Sequence, residues 1–497
     1  MKKTIIISFI FLFQIGWLSA QVERFNKIYD FFGGSDLSVF VQQTNYGYLV
    51  CGTIINTNNN QSMGFIRIDE QGNEIEKKVY DLFPIGYSST NGVFNSIDSS
   101  IYMIGTIKFP DNDIVAHLTK LNQFGDTLWT KTLCDTNSNS QGLEIYLESN
   151  GDLIILGSTD RTDPNVNILL IRTDSLGNTI WDQEYGTLGT FDTGWSIDRT
   201  SDSGYVLGAG KYYFGPQISR SLVVKTDSLG NYQWEYEYGS NTFTNYSPDV
   251  KATINNQIMA SGGKGFDENI NNDTYSKPNI LWLDNSGNYL DYLDYAIDSI
   301  PYIFFRGNHK VDSSNYILSG CFNDLADQKI GLFKTNEFGD SIFGRTYQGY
   351  TQWEFGRDVQ STLDGGYIIV GTNYAGNGFS TDYRVIKVDS LGCDTLTCET
   401  VGITEHEQYW KENNSLLLFP NPNNGQFYIE IKNVPINPFF DTKIEVYDLL
   451  GNIVFQSSNR LFQNLSEVDI SSQSTGIYLV NVYFNNIRVG SIRVAKD

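Results

Sequence analysis

The chain has 497 residues with 57 acidic and 34 basic side chains, a formal net charge of −23 at pH 7, three histidines and five cysteines. A surface of that sign repels polyanionic backbones, so DNA and RNA are excluded as partners. Phe and Tyr number 31 each and Pro only 11, apolar residues come in short alternating runs, and no long amphipathic helix is present, so the chain is expected to be all-β.

The first 20 residues, MKKTIIISFIFLFQIGWLSA, have a basic start (Lys2, Lys3), an apolar run from Ile5 to Trp17 and small residues Ser19 and Ala20. This pattern predicts a secretory signal peptide over 1–20, cut after Ala20. The run is short for a bilayer span and no second apolar segment follows, so the mature chain is expected to lack a transmembrane segment. Losing Lys2 and Lys3 takes the formal charge from −23 to −25.

Residues 21–398 repeat with a period of about 53. A turn glycine recurs at Gly72, Gly125, Gly177, Gly230, Gly287, Gly339 and Gly392, and an apolar motif keeps the same beat, as in GYLVCGT from Gly47, DLIILGST from Asp152 and GYIIVGT from Gly366. Each repeat reads as four short strands, in the fourth copy WSIDRT, GYVLGAG, SLVVKTD and YQWEYEYG. Four antiparallel strands cannot bury both faces alone, so neighbours must stack, and seven such units predict a seven-bladed β-propeller, with an open solenoid as the alternative. The last repeat lacks its aromatic fourth strand, whereas RFNKIYDFFGG (Arg24 to Gly34) precedes the first repeat and has the missing character. That N-terminal strand is expected to complete the seventh blade and leave no open edge.

The motif RTDSLGNTIW (Arg172 to Trp181) then falls between the third and fourth strands of a blade. A type I turn followed by a left-handed Gly177, with Asp174 accepting backbone N–H bonds, is the expected geometry, and Trp129, Trp181 and Trp234 are expected to pack between blades. A calcium loop would require several carboxylates per turn, and each copy offers essentially one. The motif resembles the Asp boxes of sialidases, but with different Asp–Gly–aromatic separations and no evident arginine cluster for a carboxylate substrate. It also resembles the Gly and Trp repeat of quinoprotein dehydrogenases, without their adjacent cysteine pair. Copies such as DSL at Asp174, Asp227 and Asp389 are similar to the Asp, Ser/Thr, apolar acceptor motif of O-glycosylation in Bacteroidota, and equally serve as plain turns.

Cys51 and Cys321 lie in strand patterns and are expected to be buried, while Cys393 and Cys398 in CDTLTC are close enough to form a disulfide loop. Residues 399–415 form a polar linker. From 416 to 497 the chain alternates strands with Pro, Asn and Gly turns, enough for a small β-sandwich. FPNPNNG, IEVYDLLGNIV, GIYLV and a late Lys496 occur in the order found in type A C-terminal sorting domains of type IX secretion cargo in Bacteroidota, which this segment resembles through Pro420, Asn421, Pro422, Gly425, Gly451, Gly476 and Tyr478. The resemblance implies the type IX secretion machinery as partner and a destination outside the outer membrane, secreted or on the cell surface, by way of the periplasm.

His117, His309 and His406 have no zinc-ligand spacing, and no nucleophile elbow, Walker loop or dinucleotide fingerprint is present. SGGKGF (Ser261 to Phe266) reads as a loop. In an up-and-down blade the long variable connections share one face, opposite the tight turns. They carry Tyr212, Tyr213, Phe243, Tyr246, Tyr275, Tyr302, Tyr350, Trp353 and Tyr374 among Asn and Asp residues, a combination that suits sugar stacking, a protein partner or packing within the loops themselves. Asp267, Glu268, Asn271 and Asp273 form a candidate Ca²⁺ cluster; no other cofactor is expected. The expectation is an exported binding protein recognising a glycan or protein through this face. The alternative is an extracellular polysaccharide-active enzyme using carboxylates in the propeller funnel, where sequence alone nominates no pair.

Overall fold

The computed structural model describes residues 23–31, 34–55, 60–80, 86–109, 113–134, 138–162, 165–242, 245–267, 274–295, 303–324, 327–347, 349, 354–374, 381–395, 415–432, 442–448, 453–459, 465–484 and 487–497. Every regular element among them is a β-strand. In the fourth repeat Thr190–Arg199, Tyr205–Tyr213, Ile218–Thr226 and Tyr232–Tyr238 pair in sequence order as one antiparallel sheet. Sheets of the same plan cover 87–132, 140–185, 246–294 and 303–346. The first and last repeats form an eight-stranded sheet, whose two halves meet at the parallel bridge between Ser35 and Thr381. As expected, the N-terminal strand Phe25–Tyr29 pairs antiparallel with Thr381–Val388 and supplies the fourth strand of the last unit.

The apolar motif forms the second strand of each unit and is buried on both faces, as in Leu153–Thr159. Period-two alternation sorts its residues: Leu153 and Ile155 pack with Tyr102 and Ile104 of the preceding unit, Ile154 and Leu156 with Ile197 and Leu207 of the following one. One cluster joins the two ends of the array, with Phe25, Tyr29, Ile368, Val370, Tyr383 and Val385 packed on Val41, Tyr48, Val50 and Ile66.

The repeated turn is a connector. Asp174 Oδ1 accepts the Leu176 and Asn178 N–H groups at 2.9 and 2.8 Å, and Gly177 has φ +77°. A Cβ on Gly177 would lie 2.9 Å from the Trp129 ring of the preceding unit, and one on Gly230 would lie 2.8 Å from Trp181. Glycine is therefore needed twice, for the left-handed backbone and for the close approach of an aromatic ring. Phe25 takes the same place against Gly72, and the Tyr29 hydroxyl donates to the Gly72 carbonyl at 2.7 Å, so the two ends of the array meet through the same joint as its middle units.

Cys51 and Cys321 are fully buried free thiols, and Cys393 is disulfide-bonded; Cys398, its expected partner, lies outside the described residues. In the C-terminal segment a three-stranded sheet (Ser415–Phe419, Gln426–Lys432, Leu465–Asp469) and a four-stranded sheet (Thr442–Tyr447, Ile453–Asn459, Gly476–Phe484, Ile487–Lys496) share one core built on Phe427, Ile429, Ile444, Val446, Val468 and Val480.

The joint can be tested at the N-terminal strand. Tyr29→Phe should cost about 1 kcal/mol through loss of one buried hydrogen bond, and Phe25→Ala about 3 kcal/mol through the cavity it leaves. Chemical denaturation midpoints measure both, and an unchanged midpoint in Phe25→Ala would show that this strand does not close the array.

Candidate functional site

The innermost strand of every unit carries an irregularity at the same place. Register slips leave one extra residue, Val39, Thr90, Leu143, Trp195, Arg306 or Arg357, and in the fifth unit the pair Ser247 and Pro248. A bulge bends its strand and re-aims the side chains beside it. All seven innermost strands line one cavity of about 570 Å³, and the bulge residues Val39, Thr90, Leu143, Trp195, Arg306 and Arg357 are in its wall.

On the side of the variable connections, the first residues of three innermost strands meet the end of a second strand. Tyr246 stacks on Phe304 with centroids 4.3 Å apart, Phe304 lies 6.5 Å from Phe355, and Phe355 packs edge-on against Tyr374 at 6.1 Å. Below this aromatic row the Arg306 guanidinium sits 4.5 Å over the Trp195 ring and 5.9 Å from the centre of Phe304.

The cavity also holds Glu144, Asp249, Lys251, Asp358 and His309. Burial pushes the Glu144 carboxyl well above the usual range and also raises Asp249. Asp358 is raised to about 6 by burial, although it accepts the Val359 N–H at 2.8 Å and the Val41 N–H at 3.0 Å. The Val41 bond spans the last and first units. Burial opposes charge on Lys251, but Asp249, Asp198 and Glu144 outweigh it and keep the amine protonated. His309 Nε2 lies 3.0 Å from Ser361 Oγ, and burial with the nearby Lys251 charge lowers its pKa to about 4, so it is neutral at pH 7.

Of the aromatics expected on the variable face, Tyr246 and Tyr374 stand at the two ends of the row that runs through Phe304 and Phe355, next to the cavity-lining Arg306. Tyr212 packs on Phe214 at 5.4 Å and Tyr213 donates to Glu237, and neither lines the cavity. Phe243, Tyr302, Tyr350, Trp353 and the side chain of Tyr275 lie outside the described residues, as do Glu268, Asn271, Asp273 and the side chain of Asp267. Among the described residues, the carboxylates that converge are Asp30, Asp36 and Asp382, with oxygens within 4.8 Å of one another. Asp36 accepts the Phe31 N–H at 2.8 Å, and Asp192 treats Thr187 identically in the fourth unit, so the burial of Asp36 belongs to a repeated turn clamp.

Trp195, Arg306, Arg357, Glu144, Asp249 and Asp358 were not singled out from the sequence, where Arg306 and Arg357 stand 51 residues apart. The signal was present in GLE, GWS and GRD, where a glycine precedes the bulge residue at Leu143, Trp195 and Arg357. The arginine cluster missing from the linear reading forms only when sixth and seventh units pack side by side.

Residues 417–491 match the secretion system C-terminal sorting domain family. The protein is accordingly exported by the type IX route to the outer cell surface or the extracellular space. Among the described residues no helix is long and apolar enough to cross a membrane. No curated protein sequence matches the chain. Solved structures similar to it include the β-propeller domain of the trilobed protease from Pyrococcus furiosus, at 10% identity and TM-score 0.39 over 73% of this chain and 98% of that one. Others are the Fusarium graminearum α-L-arabinofuranosidase Arb93A, at 11% identity and TM-score 0.40 over 60% and 91%, and the Ruminococcus gnavus intramolecular trans-sialidase, at 9% and 0.38 over 75% and 96%. These likenesses are too distant to bear on chemistry.

The raised Asp358 carboxyl makes a signed prediction. A folded pKa of about 6, above the unfolded carboxylate value, favours the folded state below about pH 4, and that contribution is lost as pH rises through 6. Asp358→Asn keeps an acceptor for Val41 and removes the buried charge. In thermal melts the variant's Tm relative to the parent should therefore be more favourable at about pH 7.5 than at about pH 4; the reverse order would contradict it.

Proposed function

We propose that the protein is a seven-bladed β-propeller over residues 21–398, preceded by a signal peptide over 1–20 and followed by a linker over 399–415 and a type A sorting domain over 416–497 folded as a small β-sandwich, exported by a cell of the Bacteroidota, and that it binds an extracellular glycan at the mouth of its central cavity. The observation that carries the binding reading is the row Tyr246, Phe304, Phe355 and Tyr374 on the variable-connection side, joined through the contact of Phe304 with Arg306 to a cavity with a polar wall. Aromatic faces stack on the apolar faces of sugar rings, and the polar wall below can satisfy hydroxyl groups.

A second reading, hydrolysis, is favoured by one observation: Glu144, Asp249 and Asp358 share the cavity, and Asp249 and Asp358 help to raise Glu144. A carboxyl group whose proton is held more tightly by burial and by neighbouring carboxyls suits acid catalysis. Against it, Asp358 is engaged in joining two units.

Glycan arrays with the mature chain test binding. Tyr246→Ala and Tyr374→Ala should each weaken a hit by about tenfold, the order of one lost stacking contact, and retention of full binding in both would refute the site. Release of reducing ends that disappears in Glu144→Gln would instead establish the hydrolase. Deletion of 416–497 should leave the protein in the periplasm, as scored by cell fractionation; normal export of the truncation would overturn the sorting role.

A further inference from the structure

Arg306 and Arg357 have no counterpart elsewhere in the array. The same bulge position holds Val39, Thr90 and Leu143 in the first three units, so the bulge itself does not require a cation. Each repeat serves as an internal control for the others. Neither arginine forms an ion pair or a side-chain hydrogen bond among the described residues, and Arg357 Nε is buried without a partner. Buried lysines elsewhere are matched, as Lys211 is by Glu235, Lys225 by Asp202 and Lys387 by Asp364, whereas these half-buried arginines are not. Burial and the charge of Arg357 lower the Arg306 pKa to about 9, and burial lowers Arg357 as well. Two like charges that line one cavity without counter-ions weaken a fold unless something else binds there.

The surroundings indicate what would bind. The Arg306 guanidinium lies over the Trp195 ring, a contact that restrains it without using any of its N–H donors. Two guanidinium groups suit a planar or tetrahedral oxyanion, which they bind through paired N–H donors. The aromatic row lies directly above, with Phe304 in contact with both Tyr246 and Arg306. A strongly acidic protein repels long polyanions, and the third cation of this cavity, Lys251, is paired with Asp249, so anion recognition falls to the two arginines.

We propose that Arg306, Arg357 and Trp195 form an anion subsite that takes the carboxylate or sulfate group of an acidic sugar whose ring stacks on the aromatic row. This rests on the glycan-binding reading and narrows it to acidic saccharides. Carboxylate and sulfate offer the same oxyanion chemistry, so the test carries an arm for each.

Calorimetric titration of the full mature chain with a uronic acid oligosaccharide, a sulfated galactose oligosaccharide and their neutral counterparts separates the cases. Arg306→Gln and Arg357→Gln should each weaken the charged ligand at least tenfold and flatten its salt dependence while leaving any neutral ligand unaffected. Arg357→Lys should recover only part of the loss, because an ammonium lacks the fork. A second readout guards against a merely structural role: without ligand, the Gln variants should melt at or above the parent temperature, because a buried repulsion has been removed. Charged-ligand affinity unchanged in both Gln variants, or a lowered melting temperature with equal loss of charged and neutral binding, overturns the subsite. If only neutral glycans bind the parent, the subsite fails while glycan binding stands; if no glycan binds, both fail.

Discussion

The seat of an aromatic ring on the turn glycine of the next unit is the contact on which the rest of the structure depends. Trp129 on Gly177, Trp181 on Gly230, Trp234 on Gly287 and Phe25 on Gly72 are the same joint in different positions around the array. The Asp that shapes the turn holds the glycine in its left-handed conformation, and that conformation opens the space the ring fills. A unit so joined cannot shift against its neighbour without unseating a ring and breaking a local hydrogen-bond set. Stability therefore resides at the boundaries between units more than within them, as in other stacked repeats.

That division of labour leaves the inner edge of each sheet free to vary. The outer and middle strands are committed to packing, with their second strands buried on both faces. The innermost strand instead interrupts its own pairing, and the extra residue enters the central space. The position accordingly differs from unit to unit, holding Val39 in one, Trp195 in another and Arg357 in a third.

The architecture was legible because it is written redundantly. Turn glycines, apolar second strands and an aromatic fourth strand recur with one period, and the orphan RFNKIY fitted the single gap in the pattern. Tyr246 and Tyr374 were also within reach, since they end strands where chain direction dictates the face. Glu144, Arg306 and Arg357 were not, for the opposite reason: each occurs once, and only the packing of different units makes neighbours of residues about 51 or more apart in sequence. Repetition records the scaffold, and the departures from repetition mark the candidate site.

The N-terminal strand also sets an order of events. Asn26 receives a hydrogen bond from Arg384, 358 residues further along the chain, and Phe25 aligns with Lys387. The segment that leaves the ribosome early has to wait, unpaired, until almost the whole array has been made and has crossed the inner membrane. Until then the last sheet lacks an edge and the first turn glycine lacks its ring. Pairing of the first strand with the last sheet is thus a reading of completeness: a prematurely terminated chain lacks the partner of its own beginning and keeps that strand exposed to periplasmic proteases.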